Sequence, residues 1–245
     1  MEVGFKTDKG KTRRNNEDAF FVLKNKGVFI VADGVGGNNS GEIASRTAVN
    51  EIAGFFQRSE PEPGHIQYML NDSIKRANAK VCEMSARYVE NRGMATTIVV
   101  AVFCRGMMYV ANVGDSRAYL IADGKMKQLT EDHTYVNELV KAGVLTSEEA
   151  DCREDRNQIT RAIGAESTVN PAIFKYKMRP GDCVLICTDG LYGEVEEEEI
   201  LAEFSGGLPM SDTCQDLVDR ANENGGGDNI TAVCIRLTED DFRNE

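Results

Sequence analysis

The chain has 245 residues, 41% hydrophobic and 28% charged, which is enough apolar material for one substantial globular unit. Its 28 Lys and Arg against 40 Asp and Glu give a net charge of -12, leaving no basic face for a nucleic-acid backbone or an anionic membrane. No apolar run approaches the ~20 residues of a membrane span, and the start, "MEVGFKTDKGKTRRNNED", has no secretory apolar core, so the expected location is cytoplasmic.

The first strand signals are Phe20-Leu23 and Val28-Ala32, the second ending in "ADG". Two helical patterns follow. In "SGEIASRTAVNEIAGFF" the residues Ala44, Ala48, Ile52 and Phe55 share a face, and after the break "SEPEPG" the run Ile66, Leu70, Ile74, Ala77, Val81, Met84, Tyr88 keeps steps of three and four. Strands are then expected at Thr96-Phe103 and Met107-Val113, joined as a hairpin by "CRG", and at Arg117-Ala122, where "ADGK" turns into "MKQLT". Helices are expected at Tyr135-Ala142, at Ser147-Asp151 behind a capping box from Thr146 to Glu149, at Glu196-Phe204 and at Asp212-Asn222. The last strands are Ile173-Lys177, Cys183-Thr188 and Ile230-Leu237. The acidic run "EVEEEEI" suits the solvated first turn of a helix.

Strands in hairpins and helices in consecutive pairs do not make a doubly wound parallel sheet. The order predicts an α+β fold with antiparallel sheets inside and helix pairs outside. Seven cysteines without a C-x-x-C pair, and only His65 and His133 for imidazole ligands, argue for free thiols and against zinc. Cys183 and Cys187, four apart in one strand, point to the same face.

Two apolar strand signals, "VFIVADG" and "CVLICTDG", each deliver an aspartate followed by glycine: Asp33 and Asp189. Asp228 precedes the last strand in "GGGDNITAV", Asp115 sits in the turn of "ANVGDSRAYL", and Glu17 and Asp18 lead into the first long strand. A lone Asp-Gly is ordinary turn chemistry. Gathered, these acids would repel one another unless a hard cation sat among them, and all-oxygen ligation suits magnesium, manganese or calcium.

The ordered set "GKTRRNNEDA", "VADGVGG", "GMATTIVVAV", "VANVGDSRAYL", "LTEDHTYVNELVKAGVLTSEEA", "RNQITRAIG", "LICTDGLY" and "GGGDNITAV" resembles the metal-dependent protein phosphatases, the type 2C serine/threonine phosphatases, in their compact bacterial form. The likeness runs from about residue 4 to 237. It implies a four-layer α-β-β-α sandwich and a single catalytic domain over 1–245, with a flap at about 135–161. It also implies a site for two Mn2+ or Mg2+ ions. Asp33 would bridge them, the Gly34 carbonyl would hold one, and Asp189 and Asp228 the other. Glu17 and Asp18 would act through water or from behind, and Asp115 with Asp189 would face a weaker third metal. Arg13 matches the family's phosphate-binding arginine. The implied reaction is in-line attack on phosphoserine and phosphothreonine by a hydroxide bridging the metals, without a phosphoenzyme. Phosphoprotein substrates, an opposing serine/threonine kinase and a monomeric state belong to the same expectation.

The chain departs from the family pattern in places. Val35 follows the Asp-Gly where eukaryotic relatives often carry histidine, so no general acid is assigned. Arg153 and Glu154 stand where relatives commonly have His-Pro, and Gly193 where some place a further acid. Ser116 lacks a histidine base for a nucleophilic role and is expected to shape its turn; Arg117 and His133 are expected to be structural. The rival readings are a non-catalytic module that binds phosphoprotein or metal, and a metal-dependent hydrolase of small phosphoesters or nucleotides.

Overall fold

The computed structural model describes residues 1–36 and 40–243; Gly37, which ends the "VADGVGG" motif, lies outside the described residues. The strands are β1 (Glu2–Asp8), β2 (Ala19–Leu23), β3 (Val28–Ala32), β4 (Gly34–Val35), β5 (Ala95–Thr96), β6 (Ile98–Cys104), β7 (Met107–Val113), β8 (Arg117–Ala122), β9 (Lys125–Gln128), β10 (Ala172–Lys177), β11 (Cys183–Cys187) and β12 (Ile230–Arg236). The helices are α1 (Ser40–Arg58), α2 (Ile66–Arg87), α3 (Tyr135–Lys141), α4 (Ser147–Asp151), α5 (Asp189–Tyr192), α6 (Glu197–Ser205) and α7 (Met210–Asn224).

Two antiparallel five-stranded sheets form the centre, in the orders β1-β12-β11-β8-β9 and β10-β7-β6-β3-β2. Three apolar layers follow from the alternation of side chains along the strands. Phe29, Val31, Val99, Val110, Val184 and Val233 fill the space between the sheets. On one outer face Val28, Ile30, Val100 and Val102 meet Ala44, Ala48, Ile52, Leu70 and Ile74 of α1 and α2. On the other, Leu185, Cys187 and Cys234 meet Ile200, Phe204, Cys214 and Leu217 of α6 and α7. Because both faces of β3 and β11 are covered, all five residues of each are buried, which is why these strands read as unbroken apolar runs. Each fully buried Val, Ile or Leu contributes about 1.5–3 kcal/mol. This is the expected four-layer α-β-β-α architecture.

Both predicted hairpins close through two residues with positive φ. Arg105 (44°) and Gly106 (65°) join β6 to β7, and Asp123 (52°) and Gly124 (69°) join β8 to β9, the twist-matched turn of tight hairpins. Thr97 interrupts the predicted strand 96–103, so β5 stands apart and pairs with β4. In α1 the deeply buried aromatic is Phe56, with Phe55 only partly covered, and Tyr88 lies beyond the end of α2 and is exposed. Cys183 and Cys187 do share a face of β11, in the layer beneath α7.

Candidate active site

Strand pairing collects the acids at one end of the sandwich. The end of β3 lies beside the start of β2 (Ala32 opposite Ala19), and the end of β11 beside the start of β8 (Cys187 opposite Arg117). Asp33 follows β3, Asp18 precedes β2, Asp189 follows β11 through Thr188, Asp228 precedes β12, and Asp115 lies in the turn from β7 to β8. The sheets are tied together at this end. Thr188 Oγ1 and Thr231 Oγ1, from one sheet, donate to Asp18 Oδ2 of the other at 2.9 and 2.6 Å, and the Thr97 and Ser116 hydroxyls are 2.6 Å apart.

The main chain at Asp33 is fixed on both sides. Its N–H donates to Thr97 Oγ1 at 3.0 Å, and its carbonyl accepts from Thr97 N at 2.8 Å and Thr96 Oγ1 at 2.7 Å. Gly34 N–H donates to the Glu17 carbonyl at 3.2 Å. The start of α1 packs onto this corner through glycine: a Cβ on Gly34 would overlap the Gly41 and Glu17 carbonyls, and one on Gly41 would overlap Glu17 Oε2. The Asp-Gly pair is therefore needed for close approach as well as for turning.

The acids feel one another. Burial, against the hydroxyls of Thr231 and Thr188 and with the charges of Asp189 and Asp228, pushes Asp18 up to about 7. Asp33 is raised well above the carboxylate range by burial and then by Asp18 and Asp189. Burial and Asp189 bring Asp115 to about 7, and burial with Asp228 raises Asp189. Glu17 is raised mainly by burial, against the pull of Arg13. Two carboxylate oxygens, Asp18 Oδ1 and Asp189 Oδ1, are buried without a hydrogen-bond partner. Among the described residues no three His, Cys, Asp or Glu side chains form a ready-made metal cage. The unpaired oxygens and the mutual repulsion nonetheless fit hard divalent cations, which would satisfy the first and cancel the second.

Arg13 stands at the rim, its Nη2 2.7 Å from Asp228 Oδ2 and more than half of its side chain exposed. Its loop is zipped to the glycine loop before Asp228: Lys11 and Thr12 N–H groups donate to the Gly226 carbonyl, and Thr12 Oγ1 to the Gly227 carbonyl at 2.6 Å. Asn229 closes the same loop, donating through Nδ2 to the Lys9 and Asn15 carbonyls at 2.9 Å and accepting from Glu17 N at 2.8 Å. Sequence reading passed over Asn229 although it directly follows Asp228 in the motif.

The residues expected to be structural have such contacts. Ser116 is buried against Thr97. His133, also buried, accepts from Gly114 N–H through Nδ1 at 3.1 Å. Arg117 makes a fork to Asp132 and lies 3.7 Å from the centre of the Tyr192 ring; neither Asp132 nor Tyr192 was singled out from the sequence. Val35 is exposed, and Arg153 pairs with Asp155 on the surface. A cleft of about 850 Å3 opens from Asp115 and Asp189 between the segment bearing Asn137, Val140 and Arg156 and the start of α6.

This arrangement has close counterparts. The family model for protein phosphatase 2C matches residues 9–233. Serine/threonine phosphatase stp of Listeria innocua is 34% identical over 240 residues, covering 96% of this chain and 95% of that protein. The Streptococcus agalactiae serine/threonine phosphatase structure superposes with a TM-score of 0.91 at 34% identity, over 96% of this chain and 99% of that one. The catalytic domain of serine/threonine protein phosphatase PstP, in complex with 2 manganese ions, gives 0.87 at 30% identity, over 97% and 98%. With the family model, full-length relatives and the sandwich all in agreement, the chain belongs to the protein phosphatase 2C family of serine/threonine phosphatases.

Proposed function

We propose that this phosphatase hydrolyses phosphoserine and phosphothreonine in phosphoproteins by direct in-line attack of water, at a site for two divalent cations built on Asp33, the Gly34 carbonyl, Asp189 and Asp228. The observation that carries this reading is the gathering of buried, mutually repelling carboxylates with two unpaired oxygens at one end of the sandwich. The 2 manganese ions of the PstP catalytic domain support the same reading. Bound cations would supply Lewis acidity, making water nucleophilic near neutral pH and offsetting phosphoryl charge.

The chain's own groups then have distinct tasks. Asp18, gripped by two threonine hydroxyls, and Glu17 back the site from behind. Arg13 has the planar fork to bind two phosphoryl oxygens and lies at the open rim where substrate arrives. Ser116 is engaged with Thr97, and the Nδ1 of His133 is taken by a backbone N–H. Among the described residues, Ser116 and His133 are thus committed to structural contacts rather than paired as nucleophile and base for a phosphoenzyme. We read 1–245 as one catalytic domain, 135–161 as the flap over the cleft, Asp115 with Asp189 as a weaker third cation site, and manganese or magnesium as the physiological ion. A serine/threonine kinase as counterpart, a monomeric state and a cytoplasmic location belong to the same reading; no described helix is long and apolar enough to cross a membrane.

The test is phosphate release from a phosphothreonine peptide by metal-stripped protein, before and after manganese, with Asp33→Ala alongside. Manganese-dependent release that is lost in the variant is expected, with a fall of at least about 100-fold. Normal turnover by Asp33→Ala would sink the assignment.

A further inference from the structure

Asp115 occupies the turn by which the chain leaves one sheet at β7 and enters the other at β8. Its position against Asp189 therefore depends on contacts outside both strand ladders. Each residue of the turn has its own brace. Gly114 N–H donates to His133 Nδ1 at 3.1 Å, and Ser116 Oγ lies 2.6 Å from Thr97 Oγ1. The brace on Asp115 is Tyr192, whose hydroxyl donates to the Asp115 carbonyl at 3.0 Å. Of the three, only Tyr192 comes from the element that carries Asp189, three residues earlier in the one-turn helix α5.

Tyr192 is itself held. The Arg117 guanidinium lies over its ring at 3.7 Å, a cation–π contact strengthened by burial. The guanidinium is locked by Asp132, with Nε at 2.9 Å and Nη2 at 2.6 Å from Oδ2, while Nη1 donates to the Tyr119 hydroxyl at 2.9 Å. Asp132 is pinned in turn by Gln128 Nε2 at 2.7 Å, and its carbonyl accepts from Asn137 Nδ2, in the first turn of α3, at 2.6 Å. An unbroken series of contacts thus runs from the base of α3 to the acids.

We propose that Tyr192, held by the Arg117–Asp132 pair, is a positioning residue that sets Asp115 against Asp189 and so tunes the cation facing those two acids. This rests on the reading of the acids as cation ligands. A hydroxyl that fixes a ligand-bearing turn without touching the ion is the kind of outer contact whose loss weakens metal affinity.

The experiment is calorimetric titration of metal-stripped protein with manganese chloride, comparing wild type, Tyr192→Phe, Arg117→Lys and Asp115→Asn, each checked for an intact fold by its melting temperature. Tyr192→Phe keeps the ring under the guanidinium and removes only the hydroxyl. Its weakest manganese site is expected to lose about tenfold in affinity, in the same direction as Asp115→Asn. Arg117→Lys, which loses the fork and the flat stack, is expected to reproduce the shift. Isotherms for Tyr192→Phe and Arg117→Lys that superimpose on wild type, while Asp115→Asn shifts, would overturn the positioning role alone. An Asp115→Asn isotherm equal to wild type would remove Asp115 as a cation ligand, and the proposal with it.

Discussion

His133 illustrates how a residue type with catalytic potential is committed to structure. Burial, and then the charge of Arg161 against the weaker opposing pull of Asp132 and Glu138, push its pKa down to about 4. The ring is therefore neutral near pH 7, with Nδ1 accepting from Gly114 and the proton on Nε2. An unfolded chain would protonate this histidine near 6.5, so the native state keeps its full advantage above that value and loses it as the pH falls through about 4. The loss amounts to about 3 kcal/mol. Urea unfolding followed between pH 7 and 4 should show this slope in wild type and a shallower one in His133→Gln, which can still accept from Gly114. Equal slopes would mean that His133 does not carry the acid sensitivity.

At the scale of elements, the start of α1 is as much a part of the site as the strand ends. Gly41 lets the helix approach Gly34 and Glu17 so closely that any Cβ there would overlap both. Gly41→Ala should accordingly destabilise the fold by about 1–3 kcal/mol, despite the better helix propensity of alanine. Because the displaced atoms are the Gly34 carbonyl and the Glu17 carboxylate, manganese affinity should fall with it. Melting temperature and a manganese titration on the same variant check both; a variant more stable than wild type would contradict the close approach. The capping box of α4 was readable as Thr146-x-x-Glu149 and is formed as expected. It was readable because every group in it lies within four residues.

For the whole molecule, the repelling acids at one end are a standing cost to the fold unless a cation offsets it. Cations that bind only the native state should stabilise it by about 2.7 kcal/mol per site at 100 times the dissociation constant. For a chain of 245 residues that is a rise of roughly 5–11 °C in melting temperature. Melting curves in chelator and in manganese should differ by that margin, and Asp189→Ala should abolish most of the difference. No shift in wild type would count against the cation site independently of any activity assay.

The apolar runs of β3 and β11, the helix periods of α1 and α2, the two hairpin turns and the aspartates at the strand ends were all legible because each depends on neighbours near in sequence. The family resemblance then placed Asp33, Asp189 and Asp228 in order. What the sequence left hidden depends on distant partners. β1 has mixed burial and is a strand because β12, more than 220 residues later, supplies its ladder. Asp18 is buried, and its pKa raised, at a place where hydroxyls 170 and 213 residues away converge on it. The Tyr192 brace on Asp115 spans 77 residues. Periodicity and turn chemistry are local properties of the chain, so they determined the elements and the list of acids. Which oxygens are unpaired, which acids repel and which side chains hold them in place are set by through-space distances, and those only the packing of two sheets against each other decided.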